Sequence, residues 1–220
     1  MERARMIEGS ISSEIRIGTS LLTKCRFLPD YWVKVIEVNP DFEIRLISQQ
    51  NSEIANETPL AGLGKEYVMF EGLYLSEFYR NNCNFICFKQ VPFCIAVSVN
   101  HRLFNKSIIR LTDLQEETVL LLKRGISSHF DALRDYLETC PSIHIEDLDY
   151  YDISTFSSCE LNNQIMITPL IWQDIHPSLK AIPLEQEITI PYGLIYAKHL
   201  CSKANILIES IKIMLHDQTF

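Results

Sequence analysis

The chain has 220 residues, of which 47% are hydrophobic and 22% are charged, a composition typical of folded globular proteins and unlike that of disordered ones. No apolar run approaches the roughly 20 residues that span a bilayer, and residues 1–8 carry too many charges for the core of a secretory signal, so we expect a cytoplasmic protein without a membrane partner. The 20 Lys and Arg are outnumbered by 28 Asp and Glu, giving a net charge of −8. With no Lys/Arg-rich stripe, the chain alone should not bind DNA.

The first part of the chain alternates between predicted strands and one helix. Residues 14–18 and 42–47 alternate apolar and polar side chains, as half-buried strands do. Between them, apolar residues from Leu28 to Ile36 repeat at helical spacing. This helix should stop at Asn39-Pro40, because a residue that precedes proline disfavours the α region.

The middle of the chain contains two strongly apolar runs. Residues 93–99 and 118–122 are continuous apolar stretches, typical of strands covered on both faces. Before them we predict a weak, proline-interrupted helix at 52–63 and a third strand at 67–70, and between them a short helical turn at 112–114.

The last part continues the alternation. Gly125-Ile126-Ser127-Ser128 leads into a predicted helix that carries Phe130, Leu133 and Leu137. Further strands are predicted at 143–145, 165–167 and 193–196, and a closing amphipathic helix at 204–215 with Ile206, Leu207, Ile211 and Leu215 on one side. Strands that alternate with helices imply βαβ units and mainly parallel sheets, so the predicted fold class is α/β.

The seven cysteines are an odd number, and most have apolar neighbours. This favours reduced thiols that act as small hydrophobic residues over a disulfide framework. Cys83, Cys87 and Cys94 are close in sequence, but a zinc site needs four ligands, usually in paired short spacings. Buried thiols are favoured over a metal or redox-sensing site, and we expect no metal and no other cofactor.

Gly18-Thr19-Ser20 follows the first predicted strand and precedes the first helix. Free N–H groups at a helix start, with hydroxyls beside them, form a natural site for a carboxylate or another anion. Thr19, Ser20 and Thr23 are therefore the first candidates for ligand contacts. The alternative is plain helix capping, for which Ser and Thr are standard residues.

Ser127 and Ser128 repeat this arrangement later in the chain, so two helix starts could face each other across a cleft. Open α/β sheets bind ligands beyond the carboxyl ends of their strands, where both motifs fall. Glu71, after the third strand, is a candidate to bind a cationic or hydroxyl group, with simple solvation as the alternative. Thr168 ends a late strand and is a further candidate ligand contact, and Asn162 could hydrogen-bond either the ligand or the backbone.

Residues 125–129 also resemble an incomplete nucleophile elbow, Gly-x-Ser-x-Gly, which lacks its second glycine. A hydrolase that used Ser127 would need a histidine beside it, oriented by a carboxylate. His176 and His199 follow in the chain, after Asp147, Asp149 and Asp152. Nothing in their spacing forces a triad, so this alternative is the weaker one.

Several stretches, taken in order, resemble the effector-binding domain of LysR-type transcriptional regulators and together cover about residues 14–215. They are Ile15-Arg16-Ile17-Gly18-Thr19-Ser20, Phe27-Leu28-Pro29, Asn39-Pro40-Asp41-Phe42, Val91-Pro92-Phe93-Cys94 with Asn100-His101-Arg102-Leu103, Ile109-Arg110-Leu111-Thr112-Asp113-Leu114, Ala181-Ile182-Pro183-Leu184 and Pro191-Tyr192-Gly193-Leu194. Each stretch is weakly specific, but their order and spacing are more so. The chain departs from the family pattern at 161–165 and at 51–63, which line the family's cleft, so the ligand class cannot be carried over.

The resemblance implies the fold of the type 2 periplasmic-binding proteins, two Rossmann-like α/β lobes joined by crossing strands with a ligand cleft between them. The crossings should lie near 92–99 and 190–196, with lobe I at 14–91 plus 192–220 and lobe II at 92–191. Residues 1–13 would end the linker helix that follows a winged helix-turn-helix. This chain lacks that N-terminal domain, through which DNA would be bound.

The function implied by the resemblance is the sensing of a small polar, anionic metabolite by a homodimer or homotetramer that performs no chemistry. The alternatives are a solute-binding protein of a transporter, which shares the fold, and the serine hydrolase that would use Ser127.

Overall fold

The computed structural model describes residues 14–49, 59–75 and 81–217. The strands in these ranges are β1 Glu14–Thr19, β2 Glu43–Ser48, β3 Met69–Leu73, β4 Cys83–Ser98, β5 Thr118–Leu122, β6 His144–Leu148, β7 Ile165–Pro169, β8 Leu179–Pro183 and β9 Thr189–Ala197. The helices are α1 Leu28–Val38, α2 Ser128–Leu137, α3 Ile153–Leu161 and α4 Ser202–Asp217, with 3-10 turns at Pro59–Ala61, Leu111–Leu114 and Leu170–Trp172. The predicted helix end at 1–13 lies outside the described residues. The same is true of residues 52–58 of the helix predicted at 52–63.

The strands form two parallel groups that are joined by antiparallel strands. They are hydrogen-bonded in the order β2-β1-β3-β9-β4-β7-β5-β6, and β8 also pairs with β4. β1, β2 and β3 are parallel, as are β5, β6 and β7, whereas β4 runs antiparallel to β7, β8 and β9. We call the β1–β3 side, with α1 and α4, the first lobe, and the β5–β8 side, with α2 and α3, the second lobe.

The long strand β4 sets the distance between the lobes. Lys89 and Leu73 both pair with Tyr192, so the carboxyl end of β3 is level with Lys89. Phe93 pairs with Pro169, the last residue of β7. The carboxyl ends of the two parallel groups therefore point towards each other along β4, about 13 Å apart at four residues of roughly 3.3 Å each. This is the cleft of the predicted fold.

A β-bulge interrupts the pairing of β4 with β9 just before the crossing. The register shifts between Cys87 and Lys89, opposite Gly193. A Cβ atom on Gly193 would lie 1.9 Å from the carbonyl oxygen of Ile86, so only glycine allows this close approach. The bulge increases the local twist where the two strands leave the first lobe.

Each lobe is held by its own apolar cluster. In the first lobe, the buried residues Ile15 and Ile17 of β1 alternate with partly exposed polar residues. The two isoleucines pack against apolar side chains of α1 and α4. In the second lobe, residues 119–122 of β5 are buried in succession because α2 and neighbouring elements cover both faces of the sheet.

The predicted α/β fold class is confirmed, and three local predictions need correction. β4 begins at Cys83, ten residues before the predicted start. Its first half was missed because it is partly exposed and its apolar residues are interrupted by Lys89, Gln90 and Pro92. α3 and β8 were not predicted, since α3 is rich in poor helix formers and β8 is short. The buried face of α4 is Ala204, Leu207, Ile208 and Ile211 with i, i+3, i+4, i+7 spacing, whereas Ile206 is 45% exposed.

Candidate ligand-binding cleft

The first-lobe edge of the cleft carries a connected set of polar side chains. Thr19 ends β1, and its hydroxyl donates to the carbonyl oxygen of Thr23 at 3.3 Å. The hydroxyls of Ser20 and Thr23 are 2.8 Å apart, and the Thr23 amide donates to the Ser20 oxygen at 3.2 Å. The predicted group of Thr19, Ser20 and Thr23 is therefore brought together at this edge.

Gln49, which the sequence analysis missed, completes this set. It comes directly after β2, as Ser20 comes directly after β1. The backbone N–H of Gln49 donates to the carbonyl oxygen of Thr19 at 2.8 Å. Its side-chain oxygen accepts from the Thr23 hydroxyl, and the residue is buried. The parallel register of β1 and β2 is the signal that could have found it, because the ends of parallel strands meet at one edge.

The anion site predicted at the first helix start is not free. α1 begins at Leu28, eight residues after Ser20, and not directly beside Thr19. The N–H groups of Arg26, Phe27 and Leu28 donate to the carboxylate of Glu71 at 2.9–3.1 Å. A carboxylate of the chain itself therefore occupies the positive end of this helix.

Glu71 is fully buried, and this burial raises the pKa of its carboxyl above the usual value. The backbone N–H groups of residues 26–28 and the hydroxyl of Tyr192 counter part of that effect. With its oxygens bonded in this way, Glu71 positions α1 and the loop before it. We therefore leave it out of the ligand-contact set for which it was a candidate.

The second helix start is arranged differently. Gly125 has φ +90°, a conformation that glycine adopts without strain, and it turns the chain from β5 towards α2. Ser127 is the N-cap residue, and its carbonyl oxygen accepts from the amide of Asp131 at 2.9 Å. Its hydroxyl makes no capping bond and, although Ser127 is only 1% exposed, finds no hydrogen-bond partner in the described part of the chain. Ser128, the first helical residue, is exposed.

Thr168 lies on the cleft edge of the second lobe, one residue before the end of β7. It is 1% exposed. Its hydroxyl is 3.4 Å from the sulfur of Cys94, the residue of β4 with which it pairs in the sheet. A ligand would have to displace this contact to bond the hydroxyl.

Asn162 is not brought to the cleft. It is exposed at the carboxyl end of α3 and precedes β7, whereas Thr168 lies near the other end of that strand. Five strand residues, roughly 17 Å of chain, separate the two edges. The candidate role of Asn162 in ligand binding is therefore corrected: its position suits the α3–β7 turn, where its amide donates to the carbonyl oxygen of Ser158 at 3.0 Å.

Several solved structures are similar in fold to this chain. The effector-binding domain of QuiR in complex with shikimate is 14% identical over 90% of this chain and 94% of that one, with a TM-score of 0.64. The effector-binding domain of BenM with benzoate is 19% identical over 96% of each chain, with a TM-score of 0.59. CbnR, a LysR family transcriptional regulator, is 14% identical over 96% of this chain and 72% of its own, with a TM-score of 0.64.

The fold is that of the effector-binding domains of LysR-type regulators. No protein-family model matches the sequence, and no curated protein matches it either. The identities are low, so these similarities show the fold alone. None of the described helices is both long and apolar enough to cross a membrane.

On this LysR-type fold, the hydrolase alternative finds no support. A nucleophilic serine needs a hydrogen bond to its base, and the Ser127 hydroxyl lacks one among the residues described. The carboxylates proposed to orient a base are engaged elsewhere: Asp147 pairs with Arg134, Asp149 pairs with Lys123, and Asp152 caps α3.

Two of the three cysteines that are close in sequence have buried side chains, as predicted, and the third does not. Cys83 and Cys94 are buried, which raises the pKa of each thiol to about 11, whereas Cys87 is exposed. Within residues 14–49, 59–75 and 81–217, no group of three His, Cys, Asp or Glu side chains could hold a metal ion.

Proposed function

We propose that the chain is the ligand-sensing domain of a LysR-type transcriptional regulator, which binds a small polar metabolite between its lobes. The observation that carries this proposal is the buried Ser127 hydroxyl at the second-lobe edge of the cleft, which has no hydrogen-bond partner among the residues that the structure describes. An unpaired buried polar group costs about 1–3 kcal/mol. A ligand that bonds this hydroxyl would remove this cost.

The two helix starts define the orientation of the ligand. At α1 the first N–H groups donate to Glu71, whereas at α2 the first-turn carboxylate of Asp131 accepts from the Gly125 amide and the Ser127 hydroxyl has no partner among the described residues. We therefore assign the anionic group of the ligand to the second lobe. Hydroxyl or carbonyl groups of the ligand would bond Thr19, Ser20, Thr23 and Gln49 in the first lobe.

The mechanism that follows is closure of the cleft. A ligand held by both lobes stabilises a closed arrangement, and it changes the population of that state only by binding it more tightly than the open one. We propose lobe boundaries at 14–91 plus 192–220 and 92–191, because β4 changes partners between Pro92 and Phe93. Assembly as a homodimer or homotetramer would pass the change to DNA-binding domains outside this chain, and no catalysis is involved.

The proposal is tested by thermal unfolding in the presence of small carboxylates, beginning with benzoate and shikimate. A ligand at 100 times its Kd stabilises the folded state by about 2.7 kcal/mol, which raises the Tm. We expect Ser127→Ala and Thr19→Ala to reduce this rise. Asn162→Ala is the matched control at the far edge of the same sheet and should keep it. Equal rises in all of these variants would contradict the site, and no rise with any carboxylate in a broad panel would contradict the ligand class.

A further inference from the structure

Residues 20–27, which we call the bridging loop, connect β1 to α1 and touch both lobes. On the second-lobe side, the indole N–H of Trp172 donates to the carbonyl oxygen of Leu22 at 3.0 Å. Asp174 forms ion pairs with Lys24, at 3.3 Å, and with Arg26. Leu22 also packs against the apolar cluster that contains the core of the second lobe. One loop of the first lobe therefore makes hydrogen bonds, ion pairs and apolar contacts with the other lobe.

The same loop is fixed to the first lobe at two places. Near its start, Ser20 and Thr23 belong to the polar set that ends at Gln49. Near its end, Arg26 and Phe27 donate to buried Glu71, and the hydroxyl of Tyr192 donates to the carbonyl oxygen of Lys24 at 3.1 Å. The second-lobe contacts of Leu22, Lys24 and Arg26 thus lie beside Thr23, a candidate ligand contact, and Phe27, whose amide donates to Glu71.

We propose that the bridging loop transmits ligand binding to the angle between the lobes, and that Asp174 and Trp172 are the second-lobe residues that hold it. This inference rests on the proposed function, since the ligand would bond Ser20 and Thr23 at the start of the loop. Any change in their hydrogen bonds displaces Leu22 and Lys24, because Glu71 fixes the far end. The lobe angle then changes through the contacts of Trp172 and Asp174.

The ion pairs in this contact are sensitive to salt. The side chains of Lys24, Arg26 and Asp174 are 32%, 26% and 49% exposed. The pKa of Asp174 lies below its usual value because hydrogen bonds and charges of Arg26 and Lys24 outweigh partial burial. At 1 M salt the Debye length is about 3 Å, so exposed pairs are largely screened. The hydrogen bond of Trp172 should then carry more of the contact.

The first experiment uses no ligand, because Trp172 itself reports on the contact. The chain has two tryptophans, so Trp32→Phe leaves Trp172 as the only indole. In this background, Asp174→Asn should shift the emission to longer wavelength and increase acrylamide quenching by about twofold, since the variant weakens both ion pairs that hold the loop beside Trp172. The parent in 1 M NaCl should resemble Asp174→Asn, and that variant should change little with salt.

Asp149→Asn is the matched control, because Asp149 is an exposed carboxylate paired with Lys123 inside the second lobe. It should leave the Trp172 emission unchanged. Identical spectra for the parent and for Asp174→Asn, or equal changes in Asp174→Asn and Asp149→Asn, would overturn the proposal.

The second experiment separates this inference from the proposed function. A carboxylate that raises the Tm should also alter quenching of Trp172 in the parent and alter it less in Asp174→Asn. A carboxylate that raises the Tm in both proteins and leaves Trp172 unchanged would overturn coupling by the loop while the ligand-binding function stands. If Asp174→Asn alters the quenching of Trp172 but no carboxylate raises the Tm, the result would support the loop contact and count against the ligand class.

Discussion

The two helix starts at the cleft are built from the same strand–loop–helix unit, yet their polar groups are bonded differently. At α1, the Glu71 carboxylate accepts from the N–H groups of residues 26–28. At α2, the Asp131 carboxylate accepts from the Gly125 amide, and the buried hydroxyl of the N-cap residue Ser127 has no partner among the described residues. Both helices concentrate positive potential at their first turn.

The difference separates structural from binding roles at positions that look alike in sequence. A helix start that is neutralised by a buried carboxylate fixes a loop, and here it fixes the loop that reaches the other lobe. A helix start whose own carboxylate bonds the preceding loop, as Asp131 does at α2, leaves the N-cap hydroxyl to a ligand. The first lobe therefore supplies hydroxyl and amide contacts, and the second lobe supplies the anion site.

The largest effect is expected from removing the internal carboxylate. Glu71→Gln keeps the shape but places an NH₂ group among N–H donors, so at least one buried donor loses its partner. We expect the free energy of unfolding to fall by roughly 2–4 kcal/mol. Urea denaturation at neutral pH measures this change.

Glu185→Gln is the control for Glu71→Gln. Glu185 is an exposed carboxylate whose partner is exposed Arg110, and such pairs contribute at most about 1 kcal/mol. If Glu71→Gln unfolds at the same urea concentration as the wild type, the carboxylate does not hold α1, and the contrast between the two helix starts is lost.

A smaller effect distinguishes the two kinds of N-cap in the second lobe. The Asp152 carboxylate accepts from the amide of Thr155 at 2.8 Å, so Asp152→Ala should cost about 1 kcal/mol of stability. The Ser127 hydroxyl makes no such bond, so Ser127→Ala should change stability by less than about 0.5 kcal/mol or increase it. Chemical denaturation of both variants gives the comparison. Equal losses would show that Ser127 acts as an ordinary cap.

Much of the fold could be predicted from the local spacing of apolar residues, because that spacing indicates which side chains are buried. The continuous apolar run at β5 and the spacing of Phe130, Leu133 and Leu137 on α2 both match the structure. The first half of β4 could not be predicted, since its partners on β9 are a hundred residues away in sequence and its side chains are partly exposed.

The placement of some candidate residues in the fold could be predicted, but their contacts could not. Thr19 and Ser127 lie at the facing edges because the ends of parallel strands meet at one edge of a sheet. The role of Glu71 depends on a contact between β3 and a loop more than forty residues earlier, which no local pattern records. Asn162 was misplaced because its edge of the sheet depends on where β7 begins.

The claim that the second lobe holds the anionic end of a ligand is tested most directly by a crystal structure. The crystals would be grown with the carboxylate that gives the largest rise in Tm. The account predicts a carboxylate oxygen about 2.5–3.0 Å from the hydroxyl oxygen of Ser127, at the first turn of α2, and the rest of the molecule near Thr23 and Gln49. A ligand bound outside the cleft, or a carboxylate bound at the first lobe with Ser127 still unbonded, would contradict it.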